Sequence, residues 1–261
     1  MSCFRADALS GQHIVISGGC GALGVPVIRA LVEHGARMSV NDLLAESEAE
    51  SRLSAAAIPA GSVRYFRGDI AEADTAERFV VYAREAFGPI HTALCHAGMV
   101  VPGSLVDFSE KDWDRTMSVN VKSAFLLARA AARTMIEDGI AGHLIFTTSW
   151  VSDVPWPDIG AYNASKAAMK QLMRSFAREL APRKIRANAV APGIVGAGMA
   201  RRQWDADAEY QARAQKAIPL GELQSPESVA DAFLFLSSAA AAYMTGSVLL
   251  VDGGCSLYPM D

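Results

Sequence analysis

A tyrosine and a lysine four residues apart, Tyr162 and Lys166, follow a serine that ends an apolar run. Residues at this spacing share one face of an α-helix, so the two side chains should be neighbours. An ammonium group beside a phenol favours the phenolate and lowers the pKa of the tyrosine. Ser149, thirteen residues before Tyr162, would reach the same oxygen from a strand end. These residues suit general acid or base chemistry on a hydroxyl or carbonyl, although Tyr and Lys four apart are also an ordinary helix-surface pair.

A glycine-rich loop suggests a ligand for that chemistry. Residues 13–17 form a short apolar run with β-branched residues, which is typical of a buried parallel strand. The loop Ser-Gly-Gly-Cys-Gly-Ala-Leu-Gly follows at residues 17–24, and residues 25–33 have a helical pattern that Gly35 ends. Glycines let the backbone approach a ligand closely, and a helix N-terminus attracts anions. Strand, loop and helix together therefore predict the pyrophosphate site of a dinucleotide.

An acidic residue follows the second predicted strand. Residues 37–41 form that strand, and Asp42 comes directly after it. An acid about twenty residues past such a loop can bind both ribose hydroxyls of NAD and repel the extra phosphate of NADP. No Arg or Lys in the loop or immediately after Asp42 counters that repulsion. Asp42 would alternatively cap a helix over residues 43–57, but its place at a strand end favours ribose binding and NAD over NADP.

Strands and helices alternate along the whole chain. This order predicts a single α/β domain over residues 1–261, with a Rossmann-type doubly wound parallel sheet of about seven strands. A long helix from Ser109 to Met135 contains Asn120, which is either a buried structural amide or part of the site. Residues 196–218 are irregular and polar in pattern and predict a substrate loop. The strands are expected at residues 13–17, 37–41, 63–67, 92–95, 143–148, 185–191 and 248–251.

The composition excludes several classes of protein. The 261 residues carry a net charge of -4 and no basic stripe, so a nucleic-acid partner is not expected. The N-terminus lacks the apolar core of a signal peptide, and no apolar run is long enough to span a bilayer. The four cysteines are scattered and the five histidines show no ligand spacing, so we expect a cytoplasmic protein with reduced thiols and no metal site.

Taken in order, these motifs resemble the short-chain dehydrogenase/reductase family across essentially the whole chain. The matching features are the glycine loop, Asp42, Asp69-Ile70, Asn120, Ser149, the Tyr162-x-x-x-Lys166 pair, Pro192-Gly193 and Asp252-Gly253-Gly254. The resemblance implies hydride transfer between a nicotinamide and a secondary alcohol or ketone, commonly by a homotetramer.

The resemblance also implies a role for each catalytic residue. Tyr162 would donate or accept the proton, and Ser149 would hold the substrate oxygen. Lys166 would bind the nicotinamide ribose and keep the tyrosine pKa low, and Asn120 would hold a water that links Lys166 to solvent. The cofactor would contact Ser17, Gly18, Gly21, Leu23, Gly24, Asp42, Asp69, Ile70, Ala97, Gly98, Tyr162, Lys166, Pro192, Gly193 and Val195.

Three positions depart from the family pattern. Ala22 replaces the middle glycine of the loop, and its methyl group would crowd the pyrophosphate. Cys95-His96 replaces two asparagines, so His96 either takes over their structural role or faces the substrate. Ala197 replaces a threonine that touches the nicotinamide amide, which puts one hydrogen bond, worth about 1 kcal/mol, in question.

The substrate is the least determined part of the prediction. Trp150, Trp156, Trp204 and His96 are the candidate pocket residues, and aromatic faces suit sugars, cyclic ketones and aryl groups alike. We expect a sugar, polyol or small cyclic alcohol. The alternatives are a 3-oxoacyl thioester with Arg201 and Arg202 on its phosphate, a non-catalytic NAD(H) sensor, and a dehydratase or epimerase that uses Asp153 or Asp158.

Overall fold

A computed structural model describes residues 4–59 and 61–257, apart from the side chain at position 199. Seven parallel strands form one sheet in the order β3-β2-β1-β4-β5-β6-β7. This topology confirms the doubly wound α/β fold. The strands are β1 (His13–Ser17), β2 (Arg37–Asp42), β3 (Val63–Arg67), β4 (Thr92–Cys95), β5 (His143–Thr147), β6 (Arg186–Pro192) and β7 (Val248–Val251).

Helices cover both faces of this sheet. The α-helices are α1 (Gly24–Glu33), α2 (Glu46–Ala55), α3 (Ala73–Phe87), α4 (Glu110–Met117), α5 (Ser123–Glu137), α6 (Gly160–Leu180), α7 (Gly198–Ala206), α8 (Ala208–Ala217) and α9 (Pro226–Ser237). One core cluster joins the sheet to α3, α5 and α6, and another joins it to α1, α2 and α9. The strand order reverses between β1 and β4, and a crevice opens there at the carboxyl ends of the strands.

The segment 196–218 differs from its prediction as an irregular loop. It forms α7 and α8, which meet at Asp207, whose carboxylate accepts hydrogen bonds from the backbone N–H groups of Glu209 and Tyr210. Tyr210, Ala214 and Ala217 are buried on one face of α8. The prediction was wrong because the segment contains many polar residues, so its short apolar stripe and its aspartate cap were not recognised.

The long helix predicted from Ser109 is interrupted. Ser109 caps α4 as expected, but a π-helical turn, Ser118–Lys122, separates α4 from α5. Asn120 lies in this turn and is fully buried. Single π-helical turns are frequent at functional sites. No apolar periodicity distinguishes such a turn from regular helix, so the sequence pattern did not reveal it.

The described residues, 4–59 and 61–257, contain neither a membrane-spanning helix nor a cluster of metal ligands. No helix there is long and apolar enough to cross a membrane. No group of three or more His, Cys, Asp or Glu side chains in the same ranges is arranged to hold a metal ion.

Candidate active site

A cleft of about 580 Å³ lies at the carboxyl ends of the central strands. Its volume falls within the range typical of ligand sites. Thirteen of the fifteen predicted cofactor residues line it: Gly18, Gly21, Leu23, Asp42, Asp69, Ile70, Ala97, Gly98, Tyr162, Lys166, Pro192, Gly193 and Val195. Ser17 and Gly24 do not line it.

Ser17 and Gly24 lie behind the surface of the cleft and support the segments that form it. The buried Ser17 hydroxyl accepts hydrogen bonds from the backbone N–H groups of His96 and Ala97, so it joins β1 to the end of β4. Gly24 packs against the backbone of the glycine loop, where a Cβ atom would lie 2.4 Å from the carbonyl oxygen of Gly19. These two residues therefore shape the loop rather than expose a surface to a ligand.

The glycine loop leaves room for a backbone-bound ligand. Gly18 has a φ of +66°, and a Cβ atom there would approach the Cα atom of Ala97 to 2.9 Å. Ala22 also lines the cleft. Its methyl group lies 3.3 Å from the position that a Cβ atom would take on Gly198, at the start of α7. Ala22 is therefore close to α7, which lines the opposite side of the cleft.

Asp42 links the second strand to the glycine loop. Its carboxylate accepts hydrogen bonds from the backbone N–H groups of Cys20 at 3.0 Å and Leu43 at 2.7 Å. The alternative role as a helix cap is wrong, because α2 begins only at Glu46 and Ala45 precedes it.

A positively charged side chain near Asp42 was not predicted from the sequence. Arg52 of α2 lines the same cleft, donates to the carbonyl oxygen of Cys20 at 3.0 Å and pairs with Glu48 at 2.7 Å. Arg52 follows Asp42 by ten residues, so no local spacing reveals this approach. Arg202 of α7 also lines the cleft, whereas its neighbour Arg201 pairs with Asp205.

The catalytic candidates converge at one end of this cleft. Tyr162 and Lys166 occupy the first turns of α6, and Ser149 lies just beyond β5. The Nζ atom of Lys166 donates to the carbonyl oxygen of Thr147 at 2.8 Å and lies 5.4 Å from the centroid of the Tyr162 ring. The Ser149 hydroxyl is near enough to the Tyr162 phenol to lower the pKa of that phenol. The structure thus brings together all three residues that the sequence pattern singled out.

The pKa values differ from the expectation. Burial raises the pKa of Tyr162 to about 12, and the nearby Ser149 hydroxyl only partly offsets this rise. Burial also lowers the pKa of Lys166 to about 7. The lysine was expected to lower the tyrosine pKa, but desolvation dominates for both groups in the ligand-free protein. At neutral pH the phenol therefore carries its proton and is ready to donate it.

Asn120 acts as a clamp behind the site. Its Oδ1 atom accepts from the Met99 N–H at 2.8 Å, and its Nδ2 atom donates to the Met99 carbonyl at 2.9 Å and to the Ser165 hydroxyl at 2.8 Å. These bonds hold the loop after β4 against α6. Of the two sequence-based alternatives, the side chain matches the buried structural amide. The side chains of Asn120 and Lys166 both approach Gly98, where an added Cβ atom would lie 3.5 Å from the Asn120 Oδ1 atom and 3.4 Å from the Lys166 Nζ atom.

A smaller cavity of about 140 Å³ adjoins the cleft, and Trp150 and Trp156 line it as predicted. Trp204 does not line this cavity but packs against the apolar cluster that contains Trp150, Trp156 and Tyr210. Additional lining residues that sequence reasoning missed are Val100, Val151, Ile159, Ile194, Ala200, Gln203 and Tyr210. Gln203 and Tyr210 come from α7 and α8, the segment taken for an irregular loop.

His96 does not face the smaller cavity. Its Nδ1 atom is 2.9 Å from the Thr147 hydroxyl, and the edge of its ring packs on Phe233. Burial lowers its pKa to about 4, so the ring is neutral near pH 7. Its assignment to the substrate pocket was wrong, because β4 and β5 hold the ring at the larger cleft, which the predicted cofactor residues line (the cofactor cleft). The structural alternative for His96 fits these contacts.

Several known proteins are similar to this chain over nearly its whole length. Residues 21–256 match a family model described as enoyl-(acyl carrier protein) reductase. The chain is 31% identical to a glucose 1-dehydrogenase of Gluconobacter oxydans, covering 97% of this chain and 94% of that protein. It is also 31% identical to a 3beta-hydroxysteroid dehydrogenase 1 of Eggerthella lenta, covering 97% of each.

A solved structure shows the same fold. The crystal structure of a short-chain type dehydrogenase/reductase from Mycobacterium marinum superimposes with a TM-score of 0.88, at 32% identity over 97% of this chain and 98% of that one. The protein therefore belongs to the short-chain dehydrogenase/reductase family of oxidoreductases. Members of this family generally use NAD(H) or NADP(H).

Proposed function

We propose that the protein transfers a hydride between NAD and a secondary alcohol or ketone. The observation that carries this proposal is that Ser149 and Tyr162 line both cavities. The two hydroxyl groups thus lie where a dinucleotide in the larger cleft would meet a small molecule in the smaller cavity. A carbonyl oxygen placed between them would receive two hydrogen bonds at the point where negative charge develops.

The residues of the cleft fit a dinucleotide. The glycine loop allows close backbone approach, and α1 begins directly behind it, so the positive end of the helix dipole favours a pyrophosphate. Ala22 narrows the loop by one methyl group without closing the cleft. When bound, the nicotinamide supplies or accepts the hydride. The protein supplies orientation and proton transfer.

The proton is handled by Tyr162. In reduction, its hydroxyl gives the proton to the carbonyl oxygen as the hydride reaches the carbonyl carbon, and in oxidation both transfers reverse. Ser149 donates a hydrogen bond to the same oxygen. Lys166, which already donates to the Thr147 carbonyl, places a titratable ammonium beside the ring and stabilises negative charge on it when protonated.

The choice of NAD rests on Asp42. Its carboxylate lies at the end of β2 on the cleft wall, where an acid can accept hydrogen bonds from ribose hydroxyls and repel an additional phosphate. Arg52 partly offsets this repulsion, but Glu48 already pairs with that guanidinium. The local charge from Asp42, Glu48 and Arg52 is therefore net negative.

No specific contact favours the alternatives. For a 3-oxoacyl thioester, Arg201 is engaged by Asp205, and Arg202 lines the cofactor cleft and not the smaller cavity. A non-catalytic sensor needs no proton donor, yet Tyr162 and Lys166 are both in place. Asp153 pairs with Lys170 and Asp158 pairs with Arg213, so neither acid is aimed at Tyr162 as a dehydratase or epimerase requires.

We also propose a homotetramer. Large apolar side chains are exposed near the last strand and on α4 and α5, and copies of the chain would cover them: Tyr243, Leu250 and Leu257, and Trp113 and Phe125. Light scattering should give four times the chain mass of 27.7 kDa. A monomeric mass at micromolar concentration would contradict this.

The function is tested by following NADH absorbance with NAD, then with NADP, over a panel of secondary alcohols. Tyr162→Phe should lower turnover at least about 100-fold, because it removes the general acid, while NADH still binds. Tyr82→Phe is the matched control, since that tyrosine lies on α3 and lines neither cavity. Turnover that survives in Tyr162→Phe would contradict the proposal. Turnover with NADP alone would contradict the role of Asp42.

A further inference from the structure

The smaller cavity has a stiff aromatic wall. Trp156 meets Trp150 edge-to-face at 5.4 Å between ring centroids and meets Tyr210 edge-to-face at 6.1 Å. The Arg213 guanidinium lies 5.6 Å from the Trp156 ring centroid and pairs with Asp158 at 3.6 Å. Contacts with this ring come from two separate segments, the turn after β5 that carries Trp150 and helix α8, and they hold the ring in one orientation.

The backbone of that wall is fixed as well. The Asn163 side chain, next to Tyr162 on α6, donates a hydrogen bond to the Trp156 carbonyl at 2.8 Å. Trp150 and Trp156 are 3% and 6% exposed, so neither has free space to rotate into. The cavity is therefore preformed, and its shape in the free protein is a fair guide to what it admits.

The size of the cavity limits the substrate. Its volume is about 140 Å³. An apolar protein cavity of about 150 Å³ accommodates one benzene molecule. The smaller cavity is only partly enclosed and shares Ser149 and Tyr162 with the larger cleft, so its volume limits only the part of a substrate that lies inside it. One six-membered ring, saturated or aromatic, fills that space, and a second fused ring has to extend into the cleft.

The polarity of the cavity limits the substrate further. Ser149 and Tyr162 are committed to the reacting oxygen. Among the described residues that line the cavity none is charged, and the rest of its wall is mainly apolar. Gln203 of α7 is the one amide side chain in the lining, and it makes no hydrogen bond with the described part of the chain. The Gln203 amide can therefore hydrogen-bond to one additional polar atom on the substrate.

We infer that this pocket takes a compact, uncharged secondary alcohol or ketone with a single carbocyclic or aryl ring and at most one further polar group. This inference rests on the proposed function and narrows its substrate class. A sugar or polyol brings several more hydroxyl groups, and each one buried without a partner weakens binding about tenfold or more. Of the substrates expected from the sequence, the small cyclic alcohol is therefore retained, whereas the sugar and the polyol are not.

The first test compares kcat/KM with NAD for cyclohexanol, 1-phenylethanol, glucose, sorbitol and 3-hydroxybutyryl-CoA. The two ring alcohols should exceed the two polyols and the thioester at least about 100-fold. Equal or better turnover of glucose, sorbitol or the thioester would overturn the inference and leave the proposed function intact.

A binding measurement separates the pocket from the reaction. Saturation-transfer NMR with cyclohexanone and the enzyme–NAD complex, which contains no hydride donor, reports occupancy without turnover. Binding of cyclohexanone in the absence of any alcohol oxidation would contradict the proposed function but support the pocket assignment. Absence of binding by both cyclohexanone and acetophenone would overturn the assignment.

Filling the cavity is a second test. Val100 lines the smaller cavity and not the cofactor cleft, so Val100→Phe reduces the space for a ring. The ratio of kcat/KM for cyclohexanol to that for 2-butanol should fall at least about tenfold. Val106→Phe, in the same loop but 92% exposed, is the matched control and should keep the wild-type ratio. An unchanged ratio in Val100→Phe would overturn the inferred size limit.

The role of Gln203 has its own readout. Gln203→Leu should lower the preference for 4-hydroxycyclohexanone over cyclohexanone at least about threefold, because the second polar group loses its partner. The exposed Gln215 of α8 gives the control Gln215→Leu, which should leave that preference unchanged. Equal preferences in both variants would show that Gln203 does not contact the substrate.

Discussion

The ammonium nitrogen of Lys166 lies 5.4 Å from the centre of the Tyr162 ring, and burial shifts the pKa values of the two groups in opposite directions. For the lysine, burial favours the neutral form, and for the tyrosine it favours the protonated phenol. The same desolvation thus keeps the Tyr162 phenol protonated, as a weaker acid than an ordinary phenol, and brings the titration of Lys166 close to neutral pH. Ligands that enter the cleft therefore act on a pair that is sensitive to charge.

The pKa of Lys166 predicts a pH dependence of stability. Its pKa is about 7 in the folded protein against 10.5 for an ordinary lysine, so between these values the unfolded chain binds more protons. The free energy of unfolding of the ligand-free protein should therefore rise with pH in this window, by up to about 1.4 kcal/mol per pH unit. Chemical denaturation between pH 7 and 8.5 measures this slope.

The variant Lys166→Met should flatten that slope, since it removes the titrating group. The exposed Lys216 provides the control Lys216→Met, which should keep the slope. The range stops at pH 8.5 because burial raises the pKa values of Cys20 and Cys255, and these thiols act in the opposite direction once unfolded cysteines ionise. A slope equal in Lys166→Met and the wild type would contradict this account.

Asp42 should determine the cofactor preference. Asp42→Ser removes the anion beside the ribose site but retains one acceptor for the loop N–H groups. The ratio of the NADH to the NADPH dissociation constant should change at least about tenfold in favour of NADPH, since one charge at close range is worth more than 1.4 kcal/mol. Fluorescence titration of both reduced cofactors gives the ratio. Asp69→Asn, which changes an acid elsewhere in the cleft, should not reverse the preference.

Arg202 should strengthen cofactor binding from α7. It lines the cleft and has no ion-pair partner among the described residues. Arg202→Ala should weaken NADH binding by up to about fivefold and reduce its salt dependence, as expected for one solvent-exposed pair. Arg201→Ala is the adjacent control, since Arg201 faces Asp205. Equal effects of the two substitutions on NADH binding would exclude a specific contact.

Asn120 should matter for stability even without cofactor. Asn120→Ala leaves the backbone N–H and carbonyl groups of Met99 without buried partners, so unfolding should become easier by about 3 kcal/mol. Asn163→Ala, which removes a single hydrogen bond to Trp156, should cost about 1 kcal/mol. Guanidinium denaturation compares the two variants. A smaller loss in Asn120→Ala than in Asn163→Ala would contradict the clamp.

Much of this protein was predictable because local patterns determine it. Short strand-like runs between helical segments identified every strand to within one residue, and the alternation of strands with helices led to the doubly wound sheet. The glycine loop, Asp42 and the spacing of Tyr162 and Lys166 were legible for the same reason. Each depends on a few neighbouring residues with a strong backbone or spacing requirement.

Local sequence patterns thus specify the fold and the residues that could carry the reaction. How those residues behave depends on their packing in the folded chain. The pKa values of Tyr162 and Lys166 depend on desolvation by the surrounding core, which no local spacing reveals. The approach of Arg52 to the cleft and of Gln203 and Tyr210 to the smaller cavity depends on helices that return to the site from distant positions, so the shape and polarity of the pocket emerge only when the chain is folded.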